Sequence, residues 1–428
     1  MTPQAGLAFE QAPPFALPLR FFLTAPLFLL AAGVLTALAP DALASRWTPQ
    51  ALALTHMLTL GFLALTMMGA LLQMLPVVAG STLPAPRFVA RFSHVPVTLG
   101  TLALITGFLT AAPLAFKMGI ALLAIGFTVF LAAAAISLTR AVTRVTVTGI
   151  RFAVASLVMT IMLGLTLALV QVRPDGWASA TIEAAIAAHA AFGLLGWVGL
   201  LVISVAYQVV PMFQITPAYP PTLSRWLAGV LFALLLLHAA TPWLAPIAGT
   251  LINTGLASGI LLFALATLRL QSRRRRKLPD VTLDYWRLGM ASLMLCVSVW
   301  LAAQWSPAWA NSNTYPLLLG VLFIGGFAVS VVCGMLYKIV PFLAWFHLQA
   351  QLQARAGSIP TMKNMIAERW MRMQFRLHLL ACVLLIASVL WPPLATAAGA
   401  VLALSAVLLW INLLSAARRF SGYGGRFF

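Results

Sequence analysis

Charged residues are scarce in this sequence, and acids are the scarcest of them. Asp and Glu number 7 among 428 residues, and charged residues make up 8% of the chain, where an ordinary soluble domain has about 25%. With so few acids, Ser/His/Asp catalysis has no support. The sequence also lacks the series of buried carboxylates that would indicate a proton pump. Motifs for phosphate-binding loops, nucleophile elbows and zinc proteases are also missing. Whether the chain is an enzyme stays open at this level.

Cysteine is rare as well. The 3 cysteines all lie inside apolar runs, at Cys296, Cys333 and Cys382. The sequence has neither a CxxC pair nor a Cys/His spacing typical of zinc sites. We interpret the three cysteines as small buried apolar residues.

Apolar residues dominate what is present, at 62% of the chain. Runs of about 20 apolar residues, enough to cross a hydrocarbon core about 30 Å thick, recur from end to end. They do not alternate apolar and polar residues as barrel strands do. The sequence therefore predicts an all-α polytopic membrane protein with about 12 transmembrane helices in a single transmembrane domain, 1–428. The predicted spans lie near 20–40, 51–78, 95–113, 116–138, 149–171, 183–212, 225–244, 246–269, 286–304, 314–342, 374–391 and 394–415.

Basic residues are distributed unevenly along the chain. With the amino terminus in the cytoplasm, only Arg46, Lys117 and Arg173 of the 26 Lys and Arg fall outside, which leaves 23 inside. This distribution predicts a multi-pass protein of a bacterial-type cytoplasmic (inner) membrane with both termini cytoplasmic. The net charge of +19, with the run RRRRK at 273–277, is interpreted as a topology signal facing anionic lipid. Nucleic acid is not expected as a partner.

Three stretches of the chain resemble one another when they are aligned on Pro76, Pro211 and Pro341. They read HMLTLGFLALTMMGALLQMLPVV, HAAFGLLGWVGLLVISVAYQVVPMF and YPLLLGVLFIGGFAVSVVCGMLYKIVPFL. Fifteen residues before each proline lies a glycine, seven before it a glycine or serine, and three before it a Gln or Lys. In chain order these are Gly61, Gly69 and Gln73, then Gly196, Ser204 and Gln208, then Gly326, Gly334 and Lys338. Steps of eight and four keep these positions on one helix face.

The spans before these stretches repeat too. RFFLTAPL begins at Arg20, RFAVASLV at Arg151 and RLGMASLM at Arg287, with offsets of 131 and 136 residues. The sequence therefore predicts three pseudo-symmetric repeats of four helices, 1–145, 146–281 and 282–428. We expect the small residues to allow close helix packing, and each proline to stand where its helix ends at the inner interface.

Polar residues near these inner ends form a predicted cluster: Gln73, Tyr207, Gln208, Tyr337 and Lys338. Two interpretations stay open. The residues begin a proton or substrate path, or they are interfacial hydrogen-bonding groups that help to end the helices.

The arrangement of twelve helices in three repeats of four resembles the catalytic subunit of heme-copper oxidases. In the middle repeat, HAAFGLLG and VAYQVVPMF are similar to the sixth helix of C-type oxidases, where a His-x-Ala-x-Gly start leads to a Tyr-x-x-Val-Pro end. This resemblance implies that His189 is a copper ligand. The first repeat resembles NnrS-type proteins, which are heme- and copper-binding relatives linked to nitric oxide stress, at His56, Gly61, Phe62, Gly69, Pro76 and Gly80.

The chain also departs from the oxidases. Its tenth span, TYPLLLGVLFIGGFAVS, lacks their His-x-His, and its seventh has His238 in LLLLHAATPW where they have a His pair. Oxygen reduction in that family needs a heme with two axial histidines, a second heme and a copper held by three histidines. The 6 histidines of this chain, half of them on the wrong side, cannot supply that set. The sequence predicts an incomplete relative that is not a working terminal oxidase.

Three histidines, His56, His189 and His238, lie in the predicted outer halves of their spans. Imidazole is a common ligand of iron and copper, and a titratable group inside a membrane is usually functional. We predict that the three bind a b-type heme and/or copper, with His189 and His238 as metal ligands; packing or helix capping is the alternative. On an ideal helix His56 points about 140° away from Gly61, which a heme plate tolerates better than a tetrahedral ion.

The other histidines stand beside Arg and aromatic residues. We predict that they anchor the protein at the inner interface: His94, His347 and His378.

Two functions follow from these features. The first is a heme- or copper-binding membrane protein in nitric oxide response or in metal or heme handling, with quinol or a partner membrane subunit as electron donor. The second is a cofactor-free small-solute transporter or membrane scaffold, in which Gln73, Gln208 and Lys338 line a path. Repeats that all share one orientation do not resemble inverted-repeat transporters, which weighs against the second. The sequence does not determine the oligomeric state.

Overall fold

The chain forms helices in the computed structural model, which describes residues 11–142, 144–173, 175, 177–275, 278–352 and 359–427 and has no strand among them. Within these residues, twelve helices are long and apolar enough to cross a membrane. The predicted fold class, an all-α multi-pass membrane protein, is confirmed. The helices are α1 (Ala16–Leu38), α2 (Pro49–Val77), α3 (Pro86–Thr110), α4 (Pro113–Arg140), α5 (Val145–Val172), α6 (Ser179–Gln214), α7 (Pro221–Ala239), α8 (Pro246–Ser272), α9 (Val281–Trp305), α10 (Thr314–Gln351), α11 (Glu368–Leu390) and α12 (Pro392–Gly422). Arg276 and Lys277 of the basic run lie outside the described residues.

Proline and capping side chains mark where several helices begin. Proline opens α2, α3, α4, α7 and α8, a position where its missing N–H is not needed. The Thr48 hydroxyl accepts a hydrogen bond from the Ala51 N–H at the start of α2 (3.0 Å). The Asp280 carboxylate accepts one from the Thr282 N–H at the start of α9 (3.0 Å). Each cap satisfies a backbone donor that has no partner within its helix.

The three aligned helices, α2, α6 and α10, are the most buried spans. In their most apolar windows 72%, 56% and 78% of residues are buried, against 50% or less in the other nine described spans. The glycines fifteen residues before the prolines explain part of this burial. A Cβ added at Gly196 would lie 2.6 Å from Ser156 Oγ of α5, and one at Gly326 would lie 2.6 Å from Ser292 Oγ of α9. The packing role expected for these glycines is confirmed.

Each of the three aligned helices also contains a π-helical segment at an equivalent place. The segments are Met57–Ala64, Phe192–Leu200 and Val321–Val329, and they begin 19, 19 and 20 residues before the respective prolines. A π segment is rare and costs regular hydrogen bonding, so its recurrence agrees with the proposed threefold repeat, which stays a prediction. Because hydrogen bonds there run from i to i+5, each residue turns the helix less, and the ideal-helix angle between His56 and Gly61 does not apply.

The expectation that each helix ends at its proline is wrong for α10, which continues ten residues beyond Pro341 to Gln351. Helices α2 and α6 end within three residues after Pro76 and Pro211, so the expectation holds for them to within one turn. Proline removes one backbone donor, and in a membrane helix neighbouring groups and local adjustments satisfy the freed carbonyl.

The described chain divides into two compact units. The α3–α8 unit is built mainly from Arg91–Leu278. The terminal unit is built from Ala12–Gln73, Pro86–Ala90 and Pro279–Phe428, and so contains α1, most of α2 and α9–α12. The single transmembrane domain of three repeats, which the sequence predicts, stays a prediction.

Candidate functional site

His189 lies near the beginning of α6 in the α3–α8 unit, three residues before the π segment. Its Nδ1 is 3.0 Å from the carbonyl oxygen of Thr160 on α5. The imidazole fits against Gly164 of α5, where an added Cβ would lie 2.8 Å from ring atom Cε1. A glycine and a backbone carbonyl of one helix therefore hold a ring that belongs to the next.

His56 lies directly before the π segment of α2, in the terminal unit. Its Nδ1 is 2.7 Å from the carbonyl oxygen of Leu52, one turn earlier in the same helix. The ring is half-buried. The capping role considered from the sequence does not describe this contact, because the histidine bonds a carbonyl inside its own helix.

His238 lies near the end of α7, in the same unit as His189. Its Nδ1 is 2.8 Å from Oδ1 of Asn253 on α8. Helices α6 and α7 pack against each other, since a Cβ at Gly196 would lie 3.5 Å from Leu235 Cδ1. His238 follows Leu235 by three residues, and His189 precedes Gly196 by seven. The two antiparallel helices thus place both histidines toward the same end of the unit.

The three predicted ligands share one tautomer. A carbonyl oxygen can only accept a hydrogen bond, so His56 and His189 carry their proton on Nδ1, and His238 does the same toward the amide oxygen of Asn253. The ring lone pair is then on Nε2. Histidines that bind a metal through Nε2 are commonly oriented by such a second bond from Nδ1.

The donor set decides which cofactor these histidines fit. No group of three or more His, Cys, Asp or Glu within the described residues could hold a metal ion. Copper bound by the protein alone would therefore find at most His189 and His238 in the α3–α8 unit. Heme iron receives four nitrogens from the porphyrin and needs only one or two axial side chains, so the residues fit an axial heme ligand better than a three-histidine copper site.

The predicted polar cluster has different partners in the two units. In the terminal unit the Lys338 ammonium forms an ion pair with Asp280 at 2.9 Å, and the Tyr337 hydroxyl accepts a hydrogen bond from Asn412 Nδ2 at 2.8 Å. Gln73 of this unit is buried, and its Oε1 has no hydrogen-bond partner among the described groups. The ion pair gives Lys338 a structural role as the partner of the α9 cap.

The two cluster residues of the α3–α8 unit, Tyr207 and Gln208, are adjacent on α6. The ring of Tyr207 packs edge-on against Tyr219, with centroids 5.2 Å apart. Tyr219 lies in the link before α7 and bonds Thr267 through its hydroxyl at 2.9 Å. Burial raises the pKa of Tyr219, so the phenol stays protonated and serves as a neutral hydrogen-bonding group.

Sequence reasoning misplaced His378. The prediction of an interface anchor is wrong, because the residue is only 1% exposed and bonds Ser330 Oγ of α10 through Nε2 at 2.8 Å. It belongs to a polar stripe on α11, formed by Gln374, His378 and Cys382, whose members are all buried. The signal available in the sequence was the four-residue spacing of three polar or reactive side chains in an otherwise apolar span.

Two comparisons with known proteins complete this description. No protein-family model matches the chain, and no curated protein matches it. The class that the structure defines is a multi-pass helical membrane protein.

Proposed function

We propose that this chain is a heme-binding membrane protein of heme-copper oxidase-like fold, in which His189 would hold a b-type heme, with His238 of the same unit as a further candidate ligand and His56 of the terminal unit as an alternative. The shared tautomer carries the proposal: all three histidines donate Nδ1–H to an oxygen and direct the Nε2 lone pair elsewhere. The close contact of His189 with Gly164 supports the proposal, because it fixes the orientation of the imidazole ring.

A bound b-type heme would supply reversible electron transfer or the binding of a diatomic gas at iron. The chain would then serve in nitric oxide response or in heme and metal handling, without being a complete terminal oxidase. Copper at His189 and His238 stays a weaker part of the proposal, since two neutral imidazoles supply no anionic ligand to balance the charge of a buried ion. Electrons would come from quinol or a partner membrane subunit.

The spectrum of the purified full-length chain tests this proposal. We expect a Soret band with about one heme per chain, and we expect His189→Gly to lose or shift it and added imidazole to restore it. Imidazole rescue separates loss of a ligand from loss of folding. His94→Ala is the matched control, as a histidine of another span, and should leave the spectrum unchanged. A wild-type chain without a Soret band or stoichiometric iron would sink the proposal.

A graded variant tests the ligand assignment itself. Gly164→Ala should shift the heme spectrum without abolishing binding, because its Cβ displaces the His189 ring from a contact of 2.8 Å. Gly193→Ala, whose Cβ would lie 3.2 Å from the Thr160 methyl and 3.9 Å from its hydroxyl oxygen, should shift it less. Equal spectra for wild type, Gly164→Ala and His189→Gly would assign the heme to other residues, and His56→Ala and His238→Ala would then be measured.

A cofactor-free transporter or scaffold remains the second candidate, and one observation favours it. The Gln73 Oε1 and the Tyr207 hydroxyl are buried without a hydrogen-bond partner among the described groups. This is expected of polar groups that bind a polar solute. The Lys338–Asp280 ion pair weighs against a solute path lined by Gln73, Gln208 and Lys338, because the charge of Lys338 is already neutralised.

The proposed location is a bacterial inner membrane with both termini in the cytoplasm, on the strength of the basic residues. Epitope tags at either terminus should stay intact when protease is added to whole cells. A tag inserted between Trp177 and Ala178, in the link before α6, should be cut under the same conditions. Cleavage of a terminal tag in intact cells would reverse the proposed topology.

A further inference from the structure

The α11 polar stripe turns three side chains into the interior of the terminal unit. Gln374, His378 and Cys382 are 0%, 1% and 5% exposed, while Leu379, Leu380 and Val383 of the same helix are 39% to 54% exposed. A polar group withdrawn from the exposed face of a membrane helix needs partners inside.

Gln374 has a complete set of structural partners. Its Oε1 accepts a hydrogen bond from the Tyr285 hydroxyl of α9, and its Nε2 donates to Ser405 Oγ of α12 at 2.9 Å. These bonds tie α11 to two neighbouring helices, so packing accounts for Gln374.

His378 and Cys382 are not accounted for in the same way. The polar contacts of the imidazole are made by Nε2, which lies 2.8 Å from Ser330 Oγ and 3.6 Å from Cys382 Sγ, while the buried Nδ1 has no partner among the described groups. The thiol faces the carbonyl oxygen of Gly325 at 3.9 Å. Gly325 lies in the π segment of α10, and a Cβ added there would meet no atom within 4 Å. Nε2, Sγ, the Ser330 hydroxyl and the Gly325 carbonyl oxygen thus form one cluster of polar contacts.

The separation of nitrogen and sulfur suits two ligands of one metal ion. Bonds of about 2.3 Å to sulfur and about 2.1 Å to nitrogen, meeting at a tetrahedral or trigonal angle, put the two donors about 3.6 to 3.8 Å apart. The observed distance is 3.6 Å. Two oxygen atoms lie beside this pair: the Ser330 hydroxyl is 2.8 Å from Nε2, and the Gly325 carbonyl oxygen is 3.9 Å from Sγ.

Charge selects the ion. The site has one group that can become an anion, the Cys382 thiol, and none of the acidic side chains is among its contacts. A monovalent cation on one thiolate is neutral, whereas a divalent ion would leave a net positive charge in a buried site, which costs several kcal/mol by order of magnitude. Thiolate and imidazole together favour soft Cu(I) among monovalent ions.

We propose that His378 and Cys382, assisted by Ser330, form a binding site for one Cu(I) ion inside the terminal unit. On binding, the Cys382 thiol gives its proton to solvent, a Cu–S and a Cu–N bond form, and no electron is transferred. The site is separate from the proposed heme ligands and does not rest on them, since none of its residues belongs to that set.

Copper binding to the full-length protein in detergent, without oxygen and in competition with a coloured Cu(I) chelator, tests this inference. We expect one Cu(I) per wild-type chain and an affinity at least about 100-fold lower in Cys382→Ser, because even outer partners of a metal site are worth about 10- to 100-fold. Cys333→Ser is the matched control, since Cys333 is a free thiol that is also fully buried, and it should bind as wild type does.

Two further measurements make the outcome decisive. X-ray absorption of the copper-loaded chain should show one sulfur and at least one imidazole nitrogen, and His378→Gln should lose the nitrogen signal. Zn(II) should bind at least about tenfold more weakly than Cu(I) if neutrality governs the buried site. Equal affinities of wild type and Cys382→Ser, or equal binding of Zn(II) at the same residues, would overturn the proposal. A melting temperature of Cys382→Ser close to wild type excludes unfolding as the cause of lost binding.

Discussion

Gly399→Ala should destabilise the terminal unit by about 3 kcal/mol, the upper part of the usual range for overpacking in a well-packed interior. An alanine Cβ at this position would lie 2.3 Å from the backbone nitrogen of Ala37 and 2.6 Å from the carbonyl oxygen of Gly33. Both are backbone atoms of α1, so no side chain can rotate away, and α1 and α12 must separate to admit one methyl group.

The contact is reciprocal. A Cβ at Gly33 would lie 2.5 Å from the backbone nitrogen of Ala403, one turn beyond Gly399 on α12. Each helix thus presents a glycine and, four residues later, an alanine to the other. This is the small-residue pattern that lets membrane helices approach closely and gain packing energy. Gly33→Ala should therefore be as costly as Gly399→Ala.

Gly320→Ala supplies the matched control. Gly320 lies within the helical start of α10, and a Cβ there would meet nothing within 4 Å. Replacing a helical glycine by alanine at an open position should be neutral or stabilise by up to about 1 kcal/mol. The three variants are compared by thermal unfolding of the purified chain in one detergent. If Gly399→Ala melts within a few degrees of Gly320→Ala, α1 and α12 do not pack as described.

Asp280→Asn should destabilise the protein by about 2 kcal/mol, below the usual 3 to 5 kcal/mol for breaking a fully buried ion pair because this pair is partly exposed. The side chains of Lys338 and Asp280 are 19% and 22% exposed, and their charged atoms are 2.9 Å apart. Asparagine keeps the oxygen that caps α9, so the variant removes the charge and leaves the cap in place.

A double-mutant cycle isolates the ion pair. Lys338→Met removes the stranded cation, so the double variant should be more stable than Asp280→Asn alone. The exposed pair between Arg372 and Glu368, at 2.5 Å on the surface of α11, is the control, and Glu368→Gln should cost about 0.5 kcal/mol or less. Urea unfolding of each variant in one detergent measures these differences. Additive effects of the two substitutions at 280 and 338 would show that the pair contributes nothing.

Much of the fold could be read from the sequence because hydropathy is a local property. Each apolar run had to be a helix to satisfy its backbone inside a bilayer, and the twelve predicted spans correspond to the twelve observed. The alignment on three prolines also identified the helices that are buried most. It could not predict that α10 continues past its proline or that the three helices contain π segments, because both depend on how neighbouring groups satisfy backbone atoms.

The candidate site was only partly predictable. His56, His189 and His238 were chosen as polar exceptions in apolar spans, and the three turned out to share a tautomer that depends on Leu52, Thr160 and Asn253. His378, whose neighbouring Arg and aromatic residues predicted an interface position, is buried instead.

By itself, the sequence of this protein determined its class and the number and approximate positions of its spans, since composition and hydropathy are local properties of the chain. Only the tertiary structure decided what each polar residue does. Lys338 meets Asp280 across 58 residues, His378 meets Ser330 across 48, and His189 meets the Thr160 carbonyl across 29. The physical reason is that a buried polar group is stabilised by the partner that packing places beside it, and that partner comes from another helix.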